Sequence, residues 1–370
     1  MALKIAHMAD IHLDSEFLGL PPRLSSIRRG EMMMTFDRAI DTVKAEGVDM
    51  LIISGDLFDD QSVLRSTVKH VASKLGELYP VRVFIAPGNH DPYTRESYYR
   101  VSDWPENVHI FSHGIERFDL MGLDVSVYGW GFNESYAKEP ALEGFKVEDG
   151  SRINIMAIHG DVAQESVYNP IRSRDLESSG LDYAALGHIH TYSGLRRAGK
   201  TWWCYPGNIE GRDFSECGPR GFVICTLDEK GCDVDFRPIC AREYVVVEID
   251  VTDMPDVQEL MRQVKRAGKK SAILRVYLKG CVEQQYKDGL NIPFMVDQLT
   301  DRVKDGLFYV DIVDETDVDI DPSALEKEPG IKGLYARKLN EMLSSAGEDE
   351  KKVIKEALRL GIKALEGSGL

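Results

Sequence analysis

The chain has 370 residues, of which 43% are hydrophobic and 29% are charged, as is typical of a globular protein with a sizeable core. The net charge of −16 excludes a protein that holds nucleic acid by bulk positive charge. The N-terminal apolar run stops at Asp10 and predicts a buried strand, not a secretion signal, and no apolar run is long enough to cross a membrane.

The first part of the chain alternates strand and helix patterns. Apolar runs predict strands at residues 3–9, 50–54 and 81–86, and apolar residues at helical spacing predict helices at 31–46 and 63–79. This βαβαβ order indicates parallel strands that are buried on both faces.

Shorter apolar runs follow, and we expect the strands they form to be linked by hairpins, one of them turning at residues 229–231. Mixed β-structure after an α/β beginning predicts an α/β (α+β) fold, with two packed mixed β-sheets flanked by helices. The runs lie at residues 125–129, 153–159, 183–186, 201–205, 221–227 and 233–238.

The pattern changes near Arg242, where a compact α+β unit is expected to begin. Its predicted strands are 244–249, 272–279 and 308–313, and its predicted helices are 256–267 and 293–301. An acidic linker at 314–321 then leads to a helical hairpin with helices at 323–343 and 350–365. The predicted domains are therefore residues 1–241, 242–314 and 323–370.

The six cysteines show no Cys-x-x-Cys spacing. A chain of this size needs no disulfides to fold, so we expect reduced thiols, a cytoplasmic location and no association with membranes.

Five short polar segments each follow a predicted strand, where open α/β sheets place their sites. Their imidazole, carboxylate and amide donors suit manganese, iron or zinc, and the lack of thiolates disfavours a closed structural zinc site. One such residue alone would be explained by a cap or a turn, but the set predicts two neighbouring divalent ions suited to phosphoryl transfer. The segments are Asp10-Ile11-His12, Gly55-Asp56, Gly88-Asn89-His90-Asp91, His159-Gly160 and Gly187-His188-Ile189-His190.

The motif order D-x-H, G-D, G-N-H-D, H and G-H-x-H resembles the calcineurin-like metallophosphoesterase superfamily. The resemblance implies a four-layer sandwich and two divalent ions, Mn²⁺ in the first place and Fe²⁺ or Zn²⁺ as alternatives. By motif, one ion is implied at Asp10, His12 and His190, the other at Asn89, His159 and His188, and Asp56 between them.

Two further residues are implied to be catalytic. His90 would contact the phosphate and stabilise or protonate the leaving oxygen. Some nucleases of this superfamily carry a second His three residues after the bridging Asp, where this chain has Asp59. A carboxylate there can still orient His90 and would raise its pKa.

The stretch after the last ligand resembles the "YPGS…R…E-x-G-x-KGF" stretch of SbcD-type DNA repair exonucleases, the nuclease subunits of double-strand-break repair complexes. It covers residues 203–212 and 218–222, with Asn208 in place of Ser and Arg220 in place of Lys. This resemblance implies a DNA exonuclease with a capping domain at 242–314. It also implies a homodimer, and a helical tail at 323–370 that docks on an SbcC-type coiled-coil ABC ATPase.

Two other functions stay open from the sequence. One is a phosphoesterase of the same superfamily that acts on a small phosphodiester or a cyclic nucleotide. The other is a DNA-binding scaffold subunit whose nuclease site is vestigial, although the complete set of site residues speaks against it.

Overall fold

The computed structural model describes residues 2–59, 63–112, 114–268, 271–300, 307–319 and 322–366. The chain divides into two units, Met1–Tyr244 and Val245–Leu370. The first unit contains β1 Leu3–Met8, α1 Pro22–Glu46, β2 Met50–Ile53, α2 Arg65–Gly76, β3 Arg82–Ile85, α3 Tyr98–Val101, β4 Val108–Ile110, β5 Glu116–Leu120, β6 Val125–Trp130, β7 Ile153–His159, α4 Ser173–Ser179, β8 Tyr183–Gly187, β9 Arg196–Ala198, β10 Thr201–Cys204, β11 Gly221–Asp228 and β12 Gly231–Pro238.

The described strands of the first unit form two six-stranded sheets, ordered β12-β11-β1-β2-β3-β4 and β5-β6-β7-β8-β10-β9. Apolar side chains from both sheets, such as Ile52 and Ala157, share one buried cluster, so the sheets pack face to face. Helices α1 and α2 cover the outer face of the first sheet, and α4 packs on the outer face of the second. The predicted fold class, two mixed sheets flanked by helices, is confirmed.

The expected hairpin links between the later strands are partly wrong. β6, β7, β8 and β10 pair in parallel, so crossovers and not hairpins connect them. Strands β6, β7 and β8 are buried along nearly their whole length, as parallel strands under helices are, and short apolar runs do not reveal strand direction. The hairpin at residues 229–231 is confirmed, because Asp228 pairs with Gly231 at its end.

Helix α1 begins at Pro22, well before the predicted residue 31. Proline favours the first turn of a helix because it has no N–H to leave unpaired and its φ angle is already helical. The expected start at residue 31 was therefore wrong, because it followed apolar periodicity, whereas the first turns of α1 bury only Leu24 and Arg28.

The second unit contains β13 Tyr244–Asp250, α5 Val257–Ala267, β14 Ile273–Lys279, β15 Cys281–Val282, α6 Gln284–Gly289, α7 Ile292–Leu299, β16 Tyr309–Asp314, β17 Asp317–Val318, α8 Pro322–Leu325, α9 Ile331–Ser345 and α10 Glu348–Glu366. A three-stranded sheet, ordered β13-β14-β16, packs with α5 and α7 around one apolar core. Helices α9 and α10 share a separate small core.

Two expectations for the second unit differ from the structure. The predicted helix 323–343 is split into α8 and α9, because Pro329 disfavours a helical residue before it and Gly330 has φ +97°. The expected linker contains β17, which pairs in parallel with β15. Residues 301, 320 and 321 of the predicted elements lie outside the described residues. Among the described helices, none is both long and apolar enough to span a bilayer.

A buried histidine joins the two sheets of the first unit. His7 of β1 is fully buried, and its ring nitrogens contact two groups of β8, the Tyr183 hydroxyl at 2.9 Å and the Leu186 carbonyl at 3.1 Å. A carbonyl only accepts, so Nε2 donates to Leu186 and Nδ1 accepts from Tyr183. Burial lowers the pKa of His7 to about 3, so the folded protein keeps this ring neutral.

This histidine should make stability depend on pH. The unfolded chain binds a proton at His7 below about pH 6.5 while the folded chain does not, so the free energy of unfolding falls as the pH is lowered. Glutamine can also donate and accept hydrogen bonds. We therefore expect the free energy of unfolding of His7→Gln to fall by about 2 kcal/mol less than that of the wild type between pH 7 and pH 5. Urea unfolding with a chelator present measures this difference, and equal losses in the two proteins would contradict it.

Candidate metal centre

The predicted ligands all lie at the carboxyl ends of parallel strands. Four of them, Asp10, His12, Asp56 and His188, have φ angles of 52°, 49°, 52° and 112°, a region that residues other than glycine rarely adopt. Such strained backbone clusters at functional sites, where the surrounding structure holds it in place. In chain order, β1 leads to Asp10 and His12, β2 to Asp56, β3 to Asn89 and His90, β7 ends at His159, and β8 leads to His188 and His190.

The side chains form two adjoining groups. The ligand atoms of Asp10, His12 and His190 lie within 4.8 Å of one another, and so do those of Asp10, Asp56 and His159. Asp56 lies between the groups, with its Oδ2 3.6 Å from His12 Nε2 and 3.4 Å from His159 Nε2.

Asn89 and His188 complete the second group. The side-chain oxygen of Asn89 lies 3.0 Å from His159 Nε2. The His188 ring centroid is 5.3 Å from that of His159, and the His188 amide donates to both carboxylate oxygens of Asp10. All seven predicted ligands therefore lie in one cluster, while the assignment of each to a particular ion stays a prediction.

The donor atoms fit bound cations. His12 Nδ1 lies 3.2 Å from Asp59 and His190 Nδ1 lies 2.6 Å from Glu216, so both nitrogens donate outward. Their Nε2 atoms then carry lone pairs, yet they face each other at 3.3 Å beside the Asp10 and Asp56 carboxylates. Converging lone pairs and buried carboxylates repel one another unless a cation lies between them.

The carboxylates around His159 also favour a positive charge. Its Nδ1 donates to the Ser54 carbonyl at 2.9 Å, which leaves Nε2 directed at Asp56 and Asn89. Burial opposes a charge on this ring, but Asp56 and Asp10 outweigh burial and raise the pKa of His159 to about 9. The carboxylates thus favour a proton or a metal ion at this nitrogen, and an ion would satisfy the remaining donors as well.

His90 and Asp59, the two predicted catalytic residues, lie beside the cluster. The His90 side chain is 44% exposed, and its Nδ1 lies 3.2 Å from Asp59 Oδ1. The hydrogen bond from His90 to Asp59 raises the pKa of His90, as expected from the sequence. Since the same Asp59 oxygen also lies 3.2 Å from His12 Nδ1, one carboxylate orients a predicted ligand and the exposed histidine.

The predicted site did not include two buried carboxylates behind the ligands. Asp91, the last residue of the G-N-H-D motif, accepts the backbone amides of Asp56, Phe58 and Gly88 and the Tyr99 hydroxyl. Burial and the nearby Asp56 charge raise the pKa of Asp91 to about 6. The sequence signal that identifies Asp91 is its position as the last residue of the G-N-H-D motif.

Glu216 is the second of these carboxylates, and it holds the ring of His190. Its other oxygen accepts from Asn208 Nδ2 at 2.7 Å and from the Arg212 amide at 2.8 Å. Burial alone would raise the pKa of Glu216, but His190 and Arg212 lower it to about 2, so the side chain stays a carboxylate. The sequence signal for Glu216 is the E of the E-x-G-x-KGF pattern, which falls on residue 216 of this chain.

The family model for calcineurin-like phosphoesterases matches residues 3–192. The chain belongs to this family. Its members are hydrolases of phosphoesters that use divalent metal ions, in agreement with the clustered donors.

Similar proteins include an uncharacterized metallophosphoesterase of Bacillus subtilis, YhaO, which is 28% identical over 275 residues, 71% of this chain and 67% of that protein. The DNA double-strand break repair protein Mre11 of Methanopyrus kandleri is 26% identical over 296 residues, 71% of this chain and 63% of that protein. Mre11 of Methanosarcina mazei is 23% identical over 273 residues, 67% of this chain and 40% of that protein. The matches to the two Mre11 proteins thus span less than two thirds of their length.

The contact between Glu216 and His190 generates a prediction for metal affinity. Replacing Glu216 by Gln removes the charge that fixes the tautomer and orientation of His190, and such changes behind a metal ligand weaken binding about 10–100-fold. Calorimetric titration of the chelator-treated protein with Mn²⁺ measures the dissociation constant. Glu229→Gln, at an exposed hairpin turn, is the matched control, and equal affinities in the two variants would contradict a positioning role for Glu216.

Proposed function

We propose that the protein is a DNA exonuclease that hydrolyses phosphodiester bonds with two divalent ions, Mn²⁺ in the first place. The observation that carries the hydrolytic part is that the seven predicted ligands, drawn from both sheets, lie in one cluster beside the exposed His90. When bound, the ions supply Lewis-acid activation of the phosphate and of the attacking water.

Residues of the chain itself position His90 and favour its protonated form. The backbone amide of His90 donates to Asp56 Oδ1 at 2.9 Å, so the segment that carries His90 is fixed to the carboxylate between the two ligand groups. Asp59 accepts from the His90 ring and favours its protonated form. A protonated imidazole held at the edge of the cluster is suited to stabilise or protonate the leaving oxygen.

Three observations support DNA as the substrate. Two relatives named as double-strand break repair proteins align with about two thirds of this chain or more. The stretch that resembles SbcD-type exonucleases contributes Glu216, which contacts the ligand His190. A cavity of about 650 Å³, lined by His90, Arg65 and Tyr98 among others, opens beside the cluster and leaves room for a substrate that continues past the cut bond.

The net charge of −16 does not oppose this proposal, because two bound divalent ions would put about four positive charges where the phosphate has to lie. It does predict that DNA binding is weak without metal.

The partners expected from the resemblance stay predictions. On the tail, Ile331, Leu334 and Val353 are 70%, 63% and 69% exposed, which supports a protein partner such as an SbcC-type ATPase. The homodimer and the cytoplasmic location rest on the sequence alone.

Degradation of end-labelled linear DNA by the Mn²⁺-loaded protein tests the function. We expect the wild type to release nucleotides from the end, and His90→Ala to lower kcat about 10²–10⁴-fold with Mn²⁺ still bound, because only the proton donor is lost. Asp56→Asn should abolish activity, since it removes the carboxylate between the ligand groups.

Activity that survives Asp56→Asn would not depend on the carboxylate between the ligand groups and would overturn the proposal. Rapid turnover of a cyclic nucleotide or another small phosphodiester, without any cleavage of DNA, would favour the alternative phosphoesterase. Circular single-stranded DNA distinguishes an exonuclease from an endonuclease, because an exonuclease leaves it intact.

A further inference from the structure

A column of three rings leads from the metal centre to the surface. The ring of the predicted ligand His188 lies 5.0 Å from that of Tyr168, and Tyr168 lies 5.6 Å from Tyr136 at an interplanar angle of 29°. Tyr136, the outermost ring, is 62% exposed. A large, mostly exposed aromatic side chain thus stands two ring contacts away from the predicted ligand His188.

The column is held by backbone contacts on both sides. The Ala137 amide donates to Val167 at 2.9 Å, and the Asn169 amide donates to Ala137 at 2.6 Å, so the residues next to Tyr136 and Tyr168 are bonded to each other. Asn169 is fully buried, and its side-chain amide donates to the carbonyl of the ligand His159 at 2.8 Å.

The other end of the Tyr136 loop is tied to the segment that carries His90. The Phe132 amide donates to Pro87 at 3.0 Å, and the Tyr93 amide donates to Phe132 at 2.6 Å. Residues Asn133, Glu134 and Ser135 form one wall of the cavity that His90 lines. A strand that leaves the centre through this cavity therefore passes the loop that carries Tyr136.

We propose that Tyr136 is a stacking platform for a nucleobase of the cut strand, which makes the enzyme selective for unpaired DNA or frayed ends. The inference rests on the proposed function and adds a substrate form to it. Stacking on a tyrosine needs an exposed base face, which a duplex interior does not offer, and it accepts every base because each has a π-face. A pre-positioned ring also loses little conformational freedom on binding.

Cleavage of single-stranded oligonucleotides by the Mn²⁺-loaded protein tests the platform. One substrate carries normal bases and a matched one carries abasic residues around the cut position. We expect Tyr136→Ala to lower kcat/KM on the normal substrate roughly 10- to 100-fold, and Tyr136→Phe, which keeps the ring, to change it less than about 2-fold. On the abasic substrate the three proteins should be equal, because no base is present to stack.

Equal losses for Tyr136→Ala on both substrates would overturn the proposal, since they would report a general defect of the site. No loss on either substrate would also overturn it. The abasic substrate therefore serves as the control for correct folding of the variant.

A second readout does not depend on cleavage. In a His90→Ala background, an oligonucleotide with 2-aminopurine near its end should lose fluorescence on binding, and adding Tyr136→Ala should remove this quenching. If the wild type cuts no DNA, the proposed function fails, while this titration still decides whether Tyr136 stacks on a base. An unchanged signal with and without Tyr136→Ala would overturn the platform.

Discussion

The face-to-face packing of the two sheets is the constraint on which the rest of the first unit depends. Asp10 from the first sheet accepts the amide of His188 from the second, and Ser54 accepts from His159 across the same gap. The backbones approach so closely that a Cβ on Gly187 would lie 1.7 Å from the Ser54 carbonyl oxygen, which explains glycine at this position. Each ligand group draws side chains from both sheets, so any slip of one sheet against the other would separate the donors within each group.

The charges at the centre explain why its histidines have hydrogen-bond acceptors on their outer side. Each of the predicted ligands His12, His159 and His190 donates its outer nitrogen to an oxygen: Asp59, the Ser54 carbonyl and Glu216, respectively. These contacts direct the remaining nitrogens inward, where they meet the carboxylates of Asp10 and Asp56. The buried carboxylates therefore favour positive charge inside the centre, and bound divalent ions would place that charge in an otherwise acidic protein.

The sequence predicted the residues of the site more completely than it predicted the topology of the sheets. Ligand types and their order along the chain are local properties, and each segment such as Asp10-Ile11-His12 directly follows its strand. Strand direction is not local: the run at 153–159 looks alike whether its neighbours are parallel or antiparallel, and only pairing with β6 and β8 on both sides decides it. The start of α1 was also missed, because its first turns carry too few buried apolar residues to show a periodic pattern.

The amino-acid sequence by itself determined the donor set, the family resemblance and the alternation of elements, because motifs and hydrophobic periodicity depend on neighbours along the chain. Only the tertiary structure decided that Glu216 contacts His190 and that Tyr136 stacks on Tyr168. Those contacts join residues far apart in the chain. Tyr136 and Tyr168 follow the paired strands β6 and β7 of the second sheet, whereas His190 follows β8 of that sheet and Glu216 precedes β11 of the first. Exposure of the Tyr136 ring is likewise a property of the folded surface, which no spacing in the sequence encodes.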